Sequence, residues 1–384
     1  MYPWVYYAPK KNFGVFFVAD YSDTFFMSRA LDLARKGRGK TLPNPLVGAV
    51  IVKNGQSVGE GYHRGPGKPH AEVEAISNAG NKAWGATLFV NLEPCCHVGR
   101  TGPCTETIVK AGIKRVVYAA TDPNPQVNGK GARTLRRAGI KVSNGLLSQE
   151  ATRLNDVYFG IVEKERPFVT LKLAQSLDGK IAAFAGHSKW ISCEESRKFV
   201  HSLRAEADAV LVGMGTVKTD NPQLTTRLVK GKNPYRIIVS TELSFPKNCK
   251  LIDNNKDSKT IIATSERNIK FDLRHSYKRG LTFWCVKSIK SGEIDLSDLL
   301  DKAKSFGIHS ILIEGGASTA TSFLKSKLVD KIIIITAPII IGAGLDSIGD
   351  LGISQISQSI SFKDCYRFHS GADEIFIGYP KWKE

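Results

Sequence analysis

One stretch of the chain, residues 69–104, sets the terms for the rest. It reads Pro69-His70-Ala71-Glu72-Val73-Glu74-Ala75. Beyond a predicted strand come Glu93-Pro94-Cys95-Cys96-His97, then Gly99-Arg100-Thr101-Gly102-Pro103 and Cys104. One imidazole and two thiolates fill three corners of a tetrahedral zinc site, and a fourth corner open to water is what separates catalytic from structural zinc. His70, Cys95 and Cys104 are the candidate metal ligands. Glu72, two residues past the histidine, is the candidate catalytic proton carrier. Cys96 and His97 are rival ligands, but the three-ligand count of a catalytic site favours reading them as loop neighbours. His63 is read as a pocket or surface residue rather than a ligand.

Local structure decides whether these groups can meet. Within a helix, residues i and i+2 point apart, so His70 and Glu72 converge only if His70 opens the helix. Pro69 just before it fits that position. Pro94 likewise sets Cys95 at the mouth of a helix, where the positive end of the dipole favours thiolate. Around this core the pattern predicts a helix from Ser22 that Gly37 stops. Strands follow at 46–52 and 56–62, joined by the Asn54-Gly55 turn. A helix runs from His70 to about Ala79, and a strand covers 86–91. A helix over 105–111 has Thr105 as its expected N-cap, and a strand at 115–120 follows. A helix ends near Ala138 and a strand covers 141–143. Strands alternating with helices imply a layered α/β sheet. A bridging helix over 150–165, closed by Pro167, marks the expected domain boundary.

The second half alternates again, with strands expected at 168–175, 209–212, 235–240, 260–263, 281–286, 310–313, 331–341 and 374–378. Helices are expected at 192–206, 295–306 and 318–328. It lacks Gly-x-Gly-x-x-Gly after a first strand, so the ordinary dinucleotide fold is not indicated. It does contain Ile311-Leu312-Ile313-Glu314-Gly315-Gly316 running into a helix. A strand, two glycines and a helix N-terminus suit phosphate binding, although a plain tight turn explains the pattern equally well. Gly213-Met214-Gly215-Thr216 with Asp220-Asn221-Pro222 forms a second such turn.

Composition narrows the setting. The 384 residues allow two domains, and no apolar run is long enough for a membrane span. Residues 1–21 are expected to be a disordered leader, since the short apolar stretch ending at Ala19 makes a poor signal-peptide core. Seven cysteines, an odd count, argue against a disulfide framework, and three of them fall within ten residues. A metal site in a reducing, cytoplasmic compartment is the expectation. The net charge of +18 divides evenly: 22 − 13 = +9 up to Glu165 and 32 − 23 = +9 beyond. Spread charge of this kind serves solubility and attracts anionic substrates. A base editor acting on nucleic acid is a competing reading of +18, but the stacking aromatics of a strand channel are not found.

His-x-Glu followed by Pro-Cys and a second Cys is the layout of zinc-dependent base deaminases. Zinc makes water a nucleophile at neutral pH. Glu72 would take a proton from that water and pass it to the ring nitrogen and the departing ammonia. The gap between Cys95 and Cys104 departs from the usual tight Cys-x-x-Cys. At this point a specific resemblance appears. Asn44-Pro45-Leu46-Val47-Gly48, the residues just named, and Asp122-Pro123-Asn124-Pro125 with Val127 and Gly129 resemble the bifunctional riboflavin biosynthesis deaminase–reductase family. The wide cysteine spacing is usual there. The resemblance puts the zinc ligands on His70, Cys95 and Cys104, the proton shuttle on Glu72 and Asn44 in the pyrimidine pocket. Cys96 stands where Ser is usual and Gly102 where Pro is usual; neither change removes a ligand.

The second half resembles the same family's reductase, whose fold is similar to dihydrofolate reductase. The matching text is Leu171-Lys172, Ser176-Leu177-Asp178-Gly179-Lys180, Ser188-Lys189-Trp190-Ile191, Gly215-Thr216-Val217, Asp220-Asn221-Pro222, Leu224-Thr225, Arg227 and Glu314-Gly315-Gly316. By this resemblance the fold is α/β in two domains: a cytidine-deaminase-like α/β/α layered domain at 22–165 and a dihydrofolate-reductase-like α/β domain at 166–384. NADPH would lie along Ala174, Trp190, Thr216, Asp220, Thr241 and the turn of Gly316, Ala317, Ser318, Thr319, Ala320, Thr321 and Ser322. The substrate would touch Ser188, Arg204, Leu224, Arg227 and Glu314. The implied reactions are deamination of 2,5-diamino-6-(5-phosphoribosylamino)pyrimidin-4-one and NADPH reduction of the product's ribosyl group to a ribityl chain. Small-molecule pyrimidine ribosyl phosphates are then the partners, with no nucleic acid and no membrane, and a homo-oligomer, dimer or tetramer, is implied. The rival view of the second half as a non-catalytic binding module is opposed by Lys172, Asp220, Arg227 and Glu314-Gly315-Gly316.

Overall fold

A computed structural model of the chain describes residues 22–98, 102–265 and 280–383. The expected leader, 1–21, and the motif residues Gly99, Arg100 and Thr101 lie outside the described residues. The first half builds a five-stranded sheet from β1 (Gly48–Lys53), β2 (Gln56–Tyr62), β3 (Thr87–Leu92), β4 (Arg115–Ala120) and β5 (Lys141–Asn144), in the order β2-β1-β3-β4-β5. β1 runs antiparallel to both neighbours, while β3, β4 and β5 are parallel. Its helices are α1 (Asp23–Arg35), α2 (Ala71–Ala79), α3 (Cys104–Lys110), α4 (Lys130–Arg137), α5 (Ser148–Leu154) and α6 (Asp156–Lys164). Phe26, Met27 and Ala30 of α1 join Ala151 and Leu154 of α5 over Val50 and Phe89 on one face. Ala71 and Ala75 of α2, Cys104 and Ile108 of α3, and Leu135 of α4 cover Ile51, Leu88 and Val90 on the other. Both faces are covered, which is why β1 and β3 are almost continuously apolar. The layers are α/β/α, as expected.

The second half builds a nine-stranded sheet from β6 (Phe168–Ser176), β8 (Ala209–Gly213), β9 (Tyr235–Val239), β10 (Thr260–Ser265), β11 (Thr282–Val286), β12 (Ser310–Ile313), β13 (Lys331–Ala337), β15 (Ser361–Ser370) and β16 (Asp373–Lys381). Two further short strands, β7 (Lys180–Ala183) and β14 (Gly344–Asp346), pair with each other. The order is β11-β10-β9-β8-β12-β6-β13-β16-β15. All pairs from β11 to β13 are parallel, and the β15–β16 hairpin closes one edge antiparallel. The helices here are α7 (Glu194–Glu206), α8 (Met214–Asp220), α9 (Lys250–Asp253), α10 (Leu296–Ser305) and α11 (Ala317–Lys325). β12 enters between β8 and β6, so the strand order switches at this point and opens a crevice at the carboxyl ends.

Several elements differ from expectation, each for a local reason. The helix expected over 150–165 is two, α5 and α6, broken at Asn155. The Asn155 side chain accepts from the Leu46 N–H at 2.7 Å and donates to the Leu46 carbonyl at 2.9 Å. α3 begins at Cys104 with Pro103 as its cap, not Thr105. The Thr105 N–H instead donates to the Cys95 carbonyl at 3.1 Å. The strand expected over 331–341 stops at Ala337, because Pro338 has no N–H to continue the ladder; beyond it Asp178 accepts from the N–H groups of Ile341 and Gly342 at 3.1 and 2.7 Å.

Two buried carboxylates position the first site and join the halves. Glu93 accepts from the N–H groups of Gly129 and Ala132, both at 2.9 Å, and so ties the start of α4 to the end of β3. Between them, Gly131 lies so near Pro94 that an added side-chain carbon would stand 2.1 Å from the Pro94 carbonyl oxygen. The chain crosses between halves at 164–169. There Asp330 accepts a two-pronged bond from Arg166 at 2.7 and 2.8 Å, the Val169 N–H at 2.7 Å, and Lys164. Asp156 adds a second tie, to Lys331 at 2.7 Å and the Tyr379 hydroxyl at 2.6 Å.

Two variants test this framework. Asp330→Ala leaves Arg166 and a strand N–H without their buried partner, and is expected to cost about 3–5 kcal/mol in urea unfolding. Gly131→Ala crowds the Pro94 carbonyl and is expected to cost about 1–3 kcal/mol, with zinc content falling as the Cys95 turn moves.

Candidate active sites

The first site is built where α2 and α3 begin beside the end of β3. His70 is the N-cap of α2 and has extended backbone, so it and Glu72 can turn toward one point. Cys104 opens α3 and is fully buried. The ligand atoms of His70, Cys95 and Cys104 all lie within 4.8 Å of one another, the one such cluster among the described residues. His70 Nδ1 is 3.1 Å from the Cys104 sulfur and 3.5 Å from the Cys95 sulfur. The Cys104 N–H donates to the Cys95 sulfur at 3.4 Å. A hydrogen bond from Cys104, assisted by His70, holds the Cys95 thiol well below the usual range, so a thiolate forms readily. Two sulfurs and one imidazole nitrogen at this spacing fit zinc. Cys96 stands apart from the cluster and directs its thiol at the Gln126 carbonyl, 3.6 Å away, and His97 does not join it.

Glu72 is buried beside the cluster. Burial, reinforced by Cys95, pushes its carboxyl up to about 7, the range in which a group both takes and gives protons at neutral pH. Asn44 Nδ2 lies 3.0 Å from His63 Nε2, and His63 Nδ1 lies 3.1 Å from the Pro69 carbonyl. A carbonyl only accepts, so Nδ1 carries the proton and Nε2 receives the Asn44 amide. Asn44 is thereby turned with its amide nitrogen toward His63. His63 itself is buried and meets His70 edge-on, with ring centroids 5.5 Å apart. His63, expected in a pocket or at the surface, is buried, and only the fold brings Asn44 and Pro69 to its ring. Asp122 is a further buried acid, pushed up to about 6 by burial and bonded by the Tyr158 hydroxyl at 2.9 Å.

The second site lies at the carboxyl ends of β6, β8 and β12. Glu314, at the end of β12, takes a two-pronged bond from Arg204 of α7 at 2.6 and 2.8 Å. Burial works against the Glu314 carboxylate, but Arg204 outweighs it and keeps its pKa below the ordinary value. Lys172 of β6 faces the same pair, and burial lowers its pKa despite Glu314. Arg204 also donates to the Thr225 carbonyl at 3.0 Å, fastening the loop that carries Leu224 and Arg227. Arg227 is exposed and has no hydrogen-bond partner among the described residues. His201, which sequence reasoning missed, is buried one turn before Arg204 and accepts from the Leu228 N–H at 3.4 Å. Burial, with Arg204 and Arg227 nearby, pulls it down to about 4, so it is neutral.

Two strand-to-helix turns meet beside this group. The Gly316 N–H donates to the Thr216 hydroxyl at 2.8 Å. An added carbon on Gly213 would stand 2.4 Å from the Thr319 hydroxyl oxygen, so the backbone is bare where α8 and α11 begin. A bare cradle of helix starts suits a dinucleotide's phosphates. The Ser188 hydroxyl donates to Asp220 at 2.9 Å. Trp190, 72% exposed, lies under the Arg197 guanidinium, 4.6 Å from the ring centroid. Thr241 is exposed at the turn after β9, and Ala174 sits in β6 opposite Ile335 of β13. The structure thus gathers Thr216 with Gly316, Ser188 with Asp220, and Arg204 with Glu314; these hydrogen-bonded pairs do not include Trp190, Thr241 or Ala174.

Comparison with known proteins identifies the family of each half. Residues 20–120 match the cytidine and deoxycytidylate deaminase zinc-binding region, and residues 167–372 match the RibD C-terminal domain. The riboflavin biosynthesis protein RibD of Aquifex aeolicus is 49% identical over 89% of this chain and 94% of its own. A solved structure of RibD from Acinetobacter baumannii superposes with a TM-score of 0.79 at 35% identity, covering 94% of this chain and 99% of the other. The diaminohydroxyphosphoribosylaminopyrimidine deaminase/5-amino-6-(5-phosphoribosylamino)uracil reductase of Thermotoga maritima does so with a TM-score of 0.80 at 38% identity, over 94% and 99%. The chain therefore belongs to the RibD family of riboflavin biosynthesis proteins.

Proposed function

We propose that this bifunctional deaminase–reductase of riboflavin biosynthesis divides its work between domains at 22–165 and 166–384. The first hydrolyses the amine from 2,5-diamino-6-(5-phosphoribosylamino)pyrimidin-4-one. The second reduces the ribosyl group of 5-amino-6-(5-phosphoribosylamino)uracil to the ribityl chain. The observation that carries the reading is the cluster of His70, Cys95 and Cys104 with Glu72 buried beside it.

His70, Cys95 and Cys104 would hold zinc, which would supply the Lewis acid that activates water at neutral pH. Glu72 takes one proton from the attacking water and gives it to the ring nitrogen, then takes the second from the newly added hydroxyl and gives it to the departing amine, which leaves as ammonia. Asn44 orients the pyrimidine through its amide oxygen. In the second domain Ala174, Trp190, Thr216, Asp220, Thr241 and residues 316–322 would hold NADPH, which would supply the hydride. Arg227, exposed and unengaged, offers its planar fork to the substrate phosphate. Arg204 is committed to Glu314, so its part is to fix Glu314 and the Leu224 loop against the ribose, with Ser188 completing the contact. Catalysis in this half is mostly placement of the reacting carbon against the cofactor.

No described helix is long and apolar enough to cross a membrane, and all seven cysteines are free thiols. A cytoplasmic location fits these thiols. The assembly proposed, a homo-oligomer, rests on the family resemblance alone.

Three variants test the assignment. Glu72→Gln abolishes ammonia release while zinc stays bound; retained turnover contradicts the shuttle role. Cys96→Ser keeps one zinc per chain by metal analysis, and loss of metal reassigns the ligands. Glu314→Gln removes the negative charge and one of the two acceptor oxygens facing buried Arg204, a loss of about 2–5 kcal/mol. NADPH oxidation with the deaminated substrate is therefore expected to fall at least about thirtyfold in kcat/KM, with ammonia release unchanged.

A further inference from the structure

Segment 36–44 belongs to the deaminase half, yet its middle lies against the reductase. Arg38 donates to Glu206, at the end of α7, at 3.4 Å. One residue on, an added carbon at Gly39 would stand 2.8 Å from the Ala205 carbonyl oxygen. From the reductase side, an added carbon at Gly231 would stand 2.5 Å from the Ala205 methyl. Ala205 is thus gripped between the two halves by backbone on each side.

Each end of this contact leads within a few residues to an active site. Toward the metal cluster, an added carbon at Gly37 would stand 2.9 Å from the His63 carbonyl oxygen, and Asn44 bonds the His63 ring. Toward the reductase, Arg204 directly precedes Ala205 and holds both Glu314 and Thr225. Gly231 in turn accepts from the Thr226 hydroxyl at 3.4 Å, within the loop that carries Arg227.

We propose that segment 36–44 is a positioning element for the reductase's substrate site, acting through Glu206 and Ala205, and that occupancy of the two sites is coupled through it. The proposal rests on reading Arg204, Arg227 and Glu314 as reductase substrate residues. Without the brace, the end of α7 is held from the reductase side alone, and its spacing to the Arg227 loop must be set when substrate binds, which weakens binding. With it, their spacing is set beforehand. Spatial continuity is only a route; a coupling energy is the proof, and any such coupling acts in both directions.

The test uses the full-length, zinc-loaded protein and follows NADPH oxidation with 5-amino-6-(5-phosphoribosylamino)uracil. The variants are Arg38→Gln, Glu206→Gln and both together. Each single change is expected to raise KM for the pyrimidine phosphate about two- to fivefold, the range of an exposed ion pair. The values of kcat, KM for NADPH and zinc content stay as in the parent, and the double variant is no worse than either single one. Ala205→Val, which wedges both contacts apart, raises KM for both pyrimidine substrates further. An unchanged KM in Arg38→Gln, or additive effects in the double variant, overturns the proposal even if Ala205→Val fails to fold. A parent protein that shows no NADPH oxidation at all overturns the assignment of the reductase site, and this proposal with it.

Discussion

Two sulfurs and an imidazole that must all give up their protons to one metal ion do not gather unaided. Like charges repel, and each group prefers water or a proton to its neighbours. Holding the three within 4.8 Å requires a scaffold that leaves them nowhere else to go. Here His70 ends an extended segment as the cap of α2, Cys104 starts α3 in the core, and Cys95 rides on a turn between them. Glu93 and Gly131 fix that turn from behind. The rest of the first domain can be understood as the support of this arrangement: a sheet buried on both faces, with helices whose starts point at one place.

The second domain solves a different problem with related means. Its reaction needs a hydride donor and a sugar carbon held face to face, so its site is a set of fixed distances rather than a metal. The strand switch at β12 opens the crevice, and bare helix starts and the buried pair of Arg204 and Glu314 lie at the carboxyl ends of its strands. A buried ion pair is a poor source of stability. Its use here is orientation: Arg204 spends its fork on Glu314 and Thr225.

Much of this was legible in the residues. The hairpin of β1 and β2, the helix opening at His70 and the strand at 115–120 are carried by local signals: an Asn-Gly turn, a proline, an apolar run. The metal cluster was legible because its residues fall within 36 positions and each has a distinctive type. What escaped depends on partners far along the chain. Asn155 breaks a helix that its own neighbours favour, because Leu46 needs its amide. β7 and β14 are too short to show a period, and β15 is a largely exposed edge strand with little apolar alternation. The bond between Arg204 and Glu314 spans 110 positions. No local pattern announces it, and only the family resemblance placed either residue in a site. His201 had no signal beyond being one histidine in an amphipathic helix.

The account turns on which atoms hold the zinc. X-ray absorption at the zinc edge of the purified full-length protein measures that directly. The expected first shell is two sulfurs near 2.3 Å and two lighter atoms near 2.0–2.1 Å, one of them imidazole. A shell with three or four sulfurs, or with none, would contradict the site described and the deaminase chemistry built on it.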